Sequence, residues 1–248
     1  MTENWKPYIC NVNGKLASIL VNLGLRDAVP IVAKPWLLWI WVYLQIPRSD
    51  GLSDSKEAPT LYEIEDALNL RLAHSCQAIA CGRITTEGKR EFYFYGETNK
   101  GLHQAVDQAL FAFEGYRFDT GSQKDSEWGH YLEVLYPSEE DAQRIANMDV
   151  LDALSEKGDV VTVPREVSHW IYFSAEKFRN LFREAVISAG FEIISETNSE
   201  GALPFGIVVA RAQPVEQASI DRTVIELFHF AKRFDGEYDG WETQVITQ

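Results

Sequence analysis

Residues 78–95, AIACGRITTEGKREFYFY, hold two strand-like runs on either side of Glu87-Gly88. The first runs from Ala78 to Thr86, and the second is Arg90-Glu-Phe-Tyr-Phe-Tyr95. A short glycine-containing connection between β-branched and aromatic runs is the signature of a β-hairpin. Helical patterns flank it. Upstream, Leu61, Ile64, Ala67, Leu68 and Leu72 recur at three and four residues behind Thr60, which predicts a capped amphipathic helix to about His74. Downstream, Leu102, Val106, Ala109, Leu110 and Phe113 do the same and stop at Gly115. Further out, residues 36–46, WLLWIWVYLQI, read as a buried strand running into the loop Pro47-Arg-Ser-Asp-Gly51, and Tyr116-Arg-Phe118 adds a fourth strand. Strand, helix, strand, strand, helix, strand is the split βαβ plan of a ferredoxin-like domain, one antiparallel sheet with two helices on one face.

The second half follows a similar order. Tyr131-Leu-Glu-Val-Leu-Tyr136 reads as a strand, and Ser138 heads a helix to about Glu156 with Glu140 and Asp141 in its first turn. His169-Trp-Ile-Tyr-Phe173 is a strand, and Ser174 caps a helix carrying Phe178, Leu181, Phe182, Ala185 and Val186. Gly190 ends that helix before a strand at residues 191–194. A strand at residues 205–211 and a helix bearing Ile220, Val224, Leu227, Phe228 and Ala231 lead to the tail. The expected fold is therefore α+β, two ferredoxin-like domains spanning residues 1–130 and 131–248.

With 46% hydrophobic and 24% charged residues, the 248-residue chain has the composition of a folded globular protein, which rules out disordered and collagen-like classes. The formal net charge is −14, and it is uneven. Up to residue 130 there are 13 basic and 16 acidic residues, and after it 10 and 21, so the second half carries −11. Such a surface repels phosphate, which excludes a general nucleic-acid binder and favours a cationic partner. Three cysteines, Cys10, Cys76 and Cys81, cannot all pair with one another, and a reducing cytoplasm is the expected setting. The run Trp36 to Leu44 is far shorter than the roughly 20 residues that cross a bilayer, so no membrane association is expected.

Catalytic motifs are missing. There is no G-x-S-x-G elbow, no phosphate-binding G-x-x-x-x-G-K-[ST] loop and no dinucleotide G-x-G-x-x-G. The five histidines are scattered without metal-ligand spacing, and Cys76 and Cys81 have no second pair. Asp235, Glu237, Asp239 and Gly240 imitate the start of a calcium loop, but its twelfth place is Ile246, which offers no carboxylate. No catalytic residue, cofactor or metal ligand is assigned. The tail reads instead as a glycine-rich turn that folds Tyr238 and Trp241 back on the core and leaves its carboxylates to water or a partner. Tyr93 with Tyr95, or Trp170 with Tyr172, are candidates for stacking on RNA bases, but the charge around them is wrong for it. A small-molecule site in the first half is the rival reading, around Trp36, Trp39, Trp41, Asp50, Glu63 and Glu65. Glu63 and Glu65 lie two apart on a helix and share no face, so they make no acid and base pair.

Ala231-Lys-Arg-Phe-Asp-Gly-Glu-Tyr-Asp-Gly-Trp-Glu-Thr243 resembles the C-terminal signature of the regulator of ribonuclease E activity B family. Gly206-Ile-Val-Val-Ala210 and the helix after it are similar to that family's preceding strand and helix. The similarity reaches back through Ala189-Gly-Phe-Glu-Ile193 to Ser174-Ala-Glu, and covers roughly residues 138–244. The first half, with Asp50-Gly-Leu52, Leu61-Tyr-Glu-Ile-Glu-Asp66, Phe92-Tyr-Phe-Tyr95 and Glu127-Trp128, resembles the domain of unknown function six-nine-five. The resemblance implies a ferredoxin-like, non-enzymatic regulator that binds ribonuclease E or another basic RNA-processing protein directly and inhibits it. Asp235, Glu237, Asp239 and Glu242 would supply charge to that contact, with Trp241 as a packing anchor. Two departures stand out: the family's acidic C-terminal extension is missing from these 248 residues, and Glu242 stands where a second glycine is usual.

Overall fold

The computed structural model describes residues 3–12 and 14–247, which form two compact units, Met1–Asp141 and Ala142–Gln248. The first contains β1 (Trp5–Val12), β2 (Lys15–Asn22), β3 (Trp36–Tyr43), α1 (Ala58–Cys76), β4 (Ile79–Thr86), β5 (Lys89–Gly96), α2 (Leu102–Leu110) and β6 (Phe118–Lys124). The sheet order is β1-β2-β4-β5-β3-β6, antiparallel throughout. Its last four strands reproduce the expected ferredoxin-like plan. The β1–β2 hairpin is an addition on the β4 edge.

Alternation along the strands builds the core. Leu38, Ile40 and Val42 of β3 and Phe92 and Phe94 of β5 point to one face, where Leu61, Ile64, Leu68 and Leu72 of α1 and Val106 of α2 cover them. Glu57, rather than Thr60, precedes the first turn of α1. Its buried carboxylate accepts from the backbone N–H groups of Gln45 (2.7 Å) and Ile46 (3.0 Å), and so ties the helix start to the end of β3.

The opposite face carries Tyr93 and Tyr95 and is covered by residues 125–136. Asp125 organises that cover. It accepts from Tyr95 Oη (2.5 Å) and from the N–H groups of Gly129 (2.9 Å) and His130 (3.0 Å). Burial pushes its carboxyl up, but these three donors outweigh it and hold it below the usual carboxylate range. Trp128 stacks on Tyr95 at 3.8 Å, and Tyr131 meets Trp128 edge-on. Residues Tyr131–Leu135 wind as a π-helical turn, where the sequence suggests a strand. The reason lies one turn upstream: Trp128, Tyr131 and Leu135 are all fully buried, and their three-then-four spacing is helical.

The second unit takes in most of α3 (Glu139–Glu156), then β7 (Arg165–Phe173), α4 (Glu176–Ser188), β8 (Glu192–Asn198), β9 (Phe205–Gln213), α5 (Gln217–Arg233) and β10 (Gly236–Thr243). Its antiparallel sheet has the order β10-β7-β9-β8, the ferredoxin-like arrangement. Val167, Ile171 and Phe173 of β7 and Ile207 and Val209 of β9 pack against Phe182 and Val186 of α4, Val224 and Leu227 of α5 and Leu154 of α3. The tail that reads as a turn is thus an edge strand, and β7 opens this sheet in place of residues 131–136. Among the described residues no helix is long and apolar enough to cross a membrane.

Candidate functional site

Strand β7 alternates strictly. Arg165, Val167, His169, Ile171 and Phe173 are buried toward the helices, which leaves Glu166, Ser168, Trp170 and Tyr172 on the face that none of this unit's described helices covers. Trp170 pairs across to Val208 and Tyr172 to Gly206 of β9. A Cβ at Gly206 would stand 3.1 Å from the Tyr172 ring and 2.5 Å from Thr197 Oγ1, so glycine there lets the tyrosine lie flat across the sheet.

On the other side of β7 runs β10, and its register contains a bulge. Glu237 pairs with Tyr172 and Tyr238 with Ile171, but Trp170 is met by Gly240, which leaves Asp239 as the extra residue. The bulge resets the alternation. Tyr238 and Trp241, three apart, would face opposite sides of a regular strand, yet both point to the helix side, while Glu237 and Glu242 stay on the open face. Tyr238 Oη lies 2.9 Å from His169 Nδ1 in the core. Burial, with the Arg211 charge adding to it, pulls the His169 pKa down to about 3, so the ring is neutral and Tyr238 is held well above its ordinary value, chiefly by its own burial. Trp241 Nε1 donates to Asn147 Oδ1 (2.8 Å) on α3, and Asn147 Nδ2 donates to Asp221 Oδ1 (2.8 Å) on α5.

The outcome is a shallow acidic and aromatic surface. One depression of about 360 Å³ is lined by Trp170, Tyr172, Asp239, Gly240, Trp241 and Glu242. A second, of about 530 Å³, is lined by Arg165, Glu166, Ser168, Glu242, Thr243 and Gln244, so Glu242 belongs to both. Carboxylates beside half-buried rings suit a guanidinium or ammonium, which is drawn both by the charge and by the π face.

Of the carboxylates singled out from the sequence, Glu237, Asp239 and Glu242 are exposed along β10 and frame Trp170 and Tyr172. Asp235 sits apart, in the turn before β10 with φ 56°, where it accepts from Ser174 Oγ at 3.3 Å. Trp241 is a core anchor through Asn147. Trp170 and Tyr172 are open-face aromatics of this sheet that the acidic signature does not contain. Their signal is the alternation of His169-Trp-Ile-Tyr-Phe173, which puts them on the face away from the helices.

The residues proposed for a pocket in the first unit do not converge. Trp36 packs into the helix-side core, Trp41 lies on the opposite face beneath Lys89 (4.1 Å), and the Trp39 ring closes over Gly121. Asp50 pairs with Arg48 (2.5 Å), Glu65 pairs with Arg83, and Glu63 is exposed on α1. Tyr93 and Tyr95 lie under His130 and Trp128 and offer no stacking surface. Among the described residues no group of three or more acidic, histidine or cysteine side chains is placed to hold a metal ion.

Comparison with known families matches residues 144–243 to the family described as regulator of ribonuclease activity B. No curated protein matches the chain. Two solved structures are similar over most of their length. An unknown protein from Galdieria sulphuraria has 10% identity over 83% of this chain and 96% of its own, with a TM-score of 0.22. A "putative glycine cleavage system transcriptional repressor" has 8% identity over 84% and 98%, with a TM-score of 0.26. At those scores neither bears on the fold. Residues 3–136, more than half of the sequence, match the family of unknown function DUF695, and the chain belongs to that family.

Proposed function

We propose that the protein is a non-enzymatic regulator of RNA turnover, whose second unit binds a basic segment of ribonuclease E or a similar RNA-processing endoribonuclease and inhibits it. The match of residues 144–243 to regulators of ribonuclease activity supports the partner class. The observation that carries the mode of binding is the open face of the second sheet. Trp170 and Tyr172 lie there between Glu166 on their own strand and Glu237, Asp239 and Glu242 on β10. A cationic segment that normally holds RNA phosphate finds there a competing set of carboxylates, and the two rings add cation–π attraction. Inhibition follows by occlusion, with no group transferred and no direct contact to nucleic acid. The three thiols Cys10, Cys76 and Cys81 are free, which suits a reducing cytoplasm where such a nuclease works.

Titration calorimetry of the full chain into ribonuclease E at two salt concentrations tests this reading. Binding that weakens as salt rises, and that the pair Glu237→Lys and Glu242→Lys removes, is the expected result. Affinity unchanged by both salt and charge reversal would reject the acidic face as the docking surface.

A further inference from the structure

Strand β10 is an edge of the second sheet. Among the described residues the backbone of Gly236–Thr243 is hydrogen-bonded to β7 alone, so the N–H and C=O groups on its far side are unpaired. Such an edge is a template for a further strand. A second copy of β10 is a poor one, because it sets the like charges of Glu237, Asp239 and Glu242 against each other. The two faces beside this edge ask for different side chains. On the open face lies the depression of about 360 Å³ that includes Trp170, Tyr172, Asp239 and Glu242, suited to a cation. On the helix side a notch of about 190 Å³ opens between α3 and the end of β10, with Val150, Ala153, Leu154 and Val245 in its lining. It has room for one aliphatic side chain. Beyond the bulge, Gly240 and Glu242 fall on the open face and Trp241 and Thr243 on the helix side, the period of two that a neighbouring strand follows. A Cβ on Gly240 would meet nothing within 4 Å, so a side chain set opposite it can cross to the Trp170 ring.

We infer that the partner segment is an alternating cation, aliphatic, cation sequence that binds as an extended strand along residues 240–243 and adds a fifth strand to this sheet. Its first cation lies across Gly240 onto Trp170, and its second pairs with Glu242. The aliphatic residue between them, opposite Trp241, turns to the helix side and fills the notch beside α3. This rests on the acidic face being the docking surface proposed above, and adds the backbone ladder and the notch to it. A basic helix or a run of adjacent cations does not meet these demands, since only a period of two sends successive side chains to opposite faces.

Calorimetry on the full chain tests this with the capped peptide Ser-Thr-Arg-Val-Arg-Thr-Ser and its isomer Ser-Thr-Arg-Arg-Val-Thr-Ser, which has the same charge without the alternation. The alternating peptide should bind saturably and the isomer at least about tenfold more weakly. An added strand uses the N–H groups of every second residue. N-methylation of the valine and N-methylation of the two arginines should therefore differ, one costing about tenfold or more and the other nearly nothing. Ala153→Trp, at an exposed position of α3 in the notch, should weaken the alternating peptide by about fivefold or more while the far-ultraviolet circular dichroism stays unchanged. Equal affinity for the two isomers, or the same response to both N-methylations, would overturn the strand mode and leave the charge-based reading intact. Absence of saturable heat from either isomer up to about 5 mM would overturn it as well. The acidic face itself stands or falls separately, on the charge-reversal titration against ribonuclease E.

Discussion

Both sheets are ferredoxin-like, both carry an aromatic central strand, and the two treat those aromatics oppositely. In the first, Tyr93 and Tyr95 lie under the π-helical turn, with Trp128 stacked on Tyr95 and Asp125 binding the cover to the strand. In the second, Trp170 and Tyr172 keep an open face. An aromatic strand therefore says little about use until the chain that crosses its outer face is known. Where a dozen residues follow the last strand and bury a tryptophan, the rings become core; where no described segment of the same unit crosses, that unit leaves them uncovered.

Trp128→Ala breaks the covered side of that comparison. The ring is fully buried, so a loss of about 3–5 kcal/mol is expected for the first unit, seen as a lower denaturant midpoint for its transition and an unshifted one for the second. Equal shifts in both transitions would contradict it. Acid probes the second sheet's interior. His169 has a folded pKa of about 3 against about 6.5 unfolded, so below pH 6.5 the unfolded chain takes up a proton that the folded chain refuses. Stability present above pH 6.5 should fall progressively toward pH 3, on the order of a few kcal/mol, and His169→Gln should flatten that slope in equilibrium denaturation. The smallest effect is expected at Trp241→Phe, which keeps the ring in the core and loses the bond to Asn147. A cost of about 1–2 kcal/mol, with partner affinity nearly unchanged, would separate its packing role from the contact proposed for Trp170 and Tyr172. Abolished binding would place Trp241 in the contact instead.

Long periodic elements were legible in the sequence: α1, α2, α4 and α5, the β4–β5 hairpin and the split βαβ order all follow from apolar spacing. The β1–β2 hairpin was not, because Lys6, Pro7, Asn11 and Lys15 interrupt the apolar pattern of residues 5–22, and a proline inside a run reads against a strand. The turn at Tyr131–Leu135 misleads because Tyr131, Leu132, Val134 and Leu135 suit either period when Trp128 is left out. β10 was hidden by its own bulge. Gly236, Gly240 and the extra Asp239 look like a turn, although Gly236 is required by something else: a Cβ there would stand 2.3 Å from the Phe173 ring. The carboxylates of the candidate site were visible as charge and Trp170 and Tyr172 as alternation, whereas bringing the two sets together needed the pairing of β7 with β10.

The bulge at Asp239 also makes β10 a counter of parity. Upstream of it, odd and even positions have one assignment of faces, and downstream the other. Inserting or deleting one residue between Tyr238 and Trp241 exchanges core for surface along the rest of the strand, whereas changing the length by two preserves the assignment. Variation in this segment among related chains should therefore come in even steps, and a lineage with an odd step should carry its large aromatic one place over.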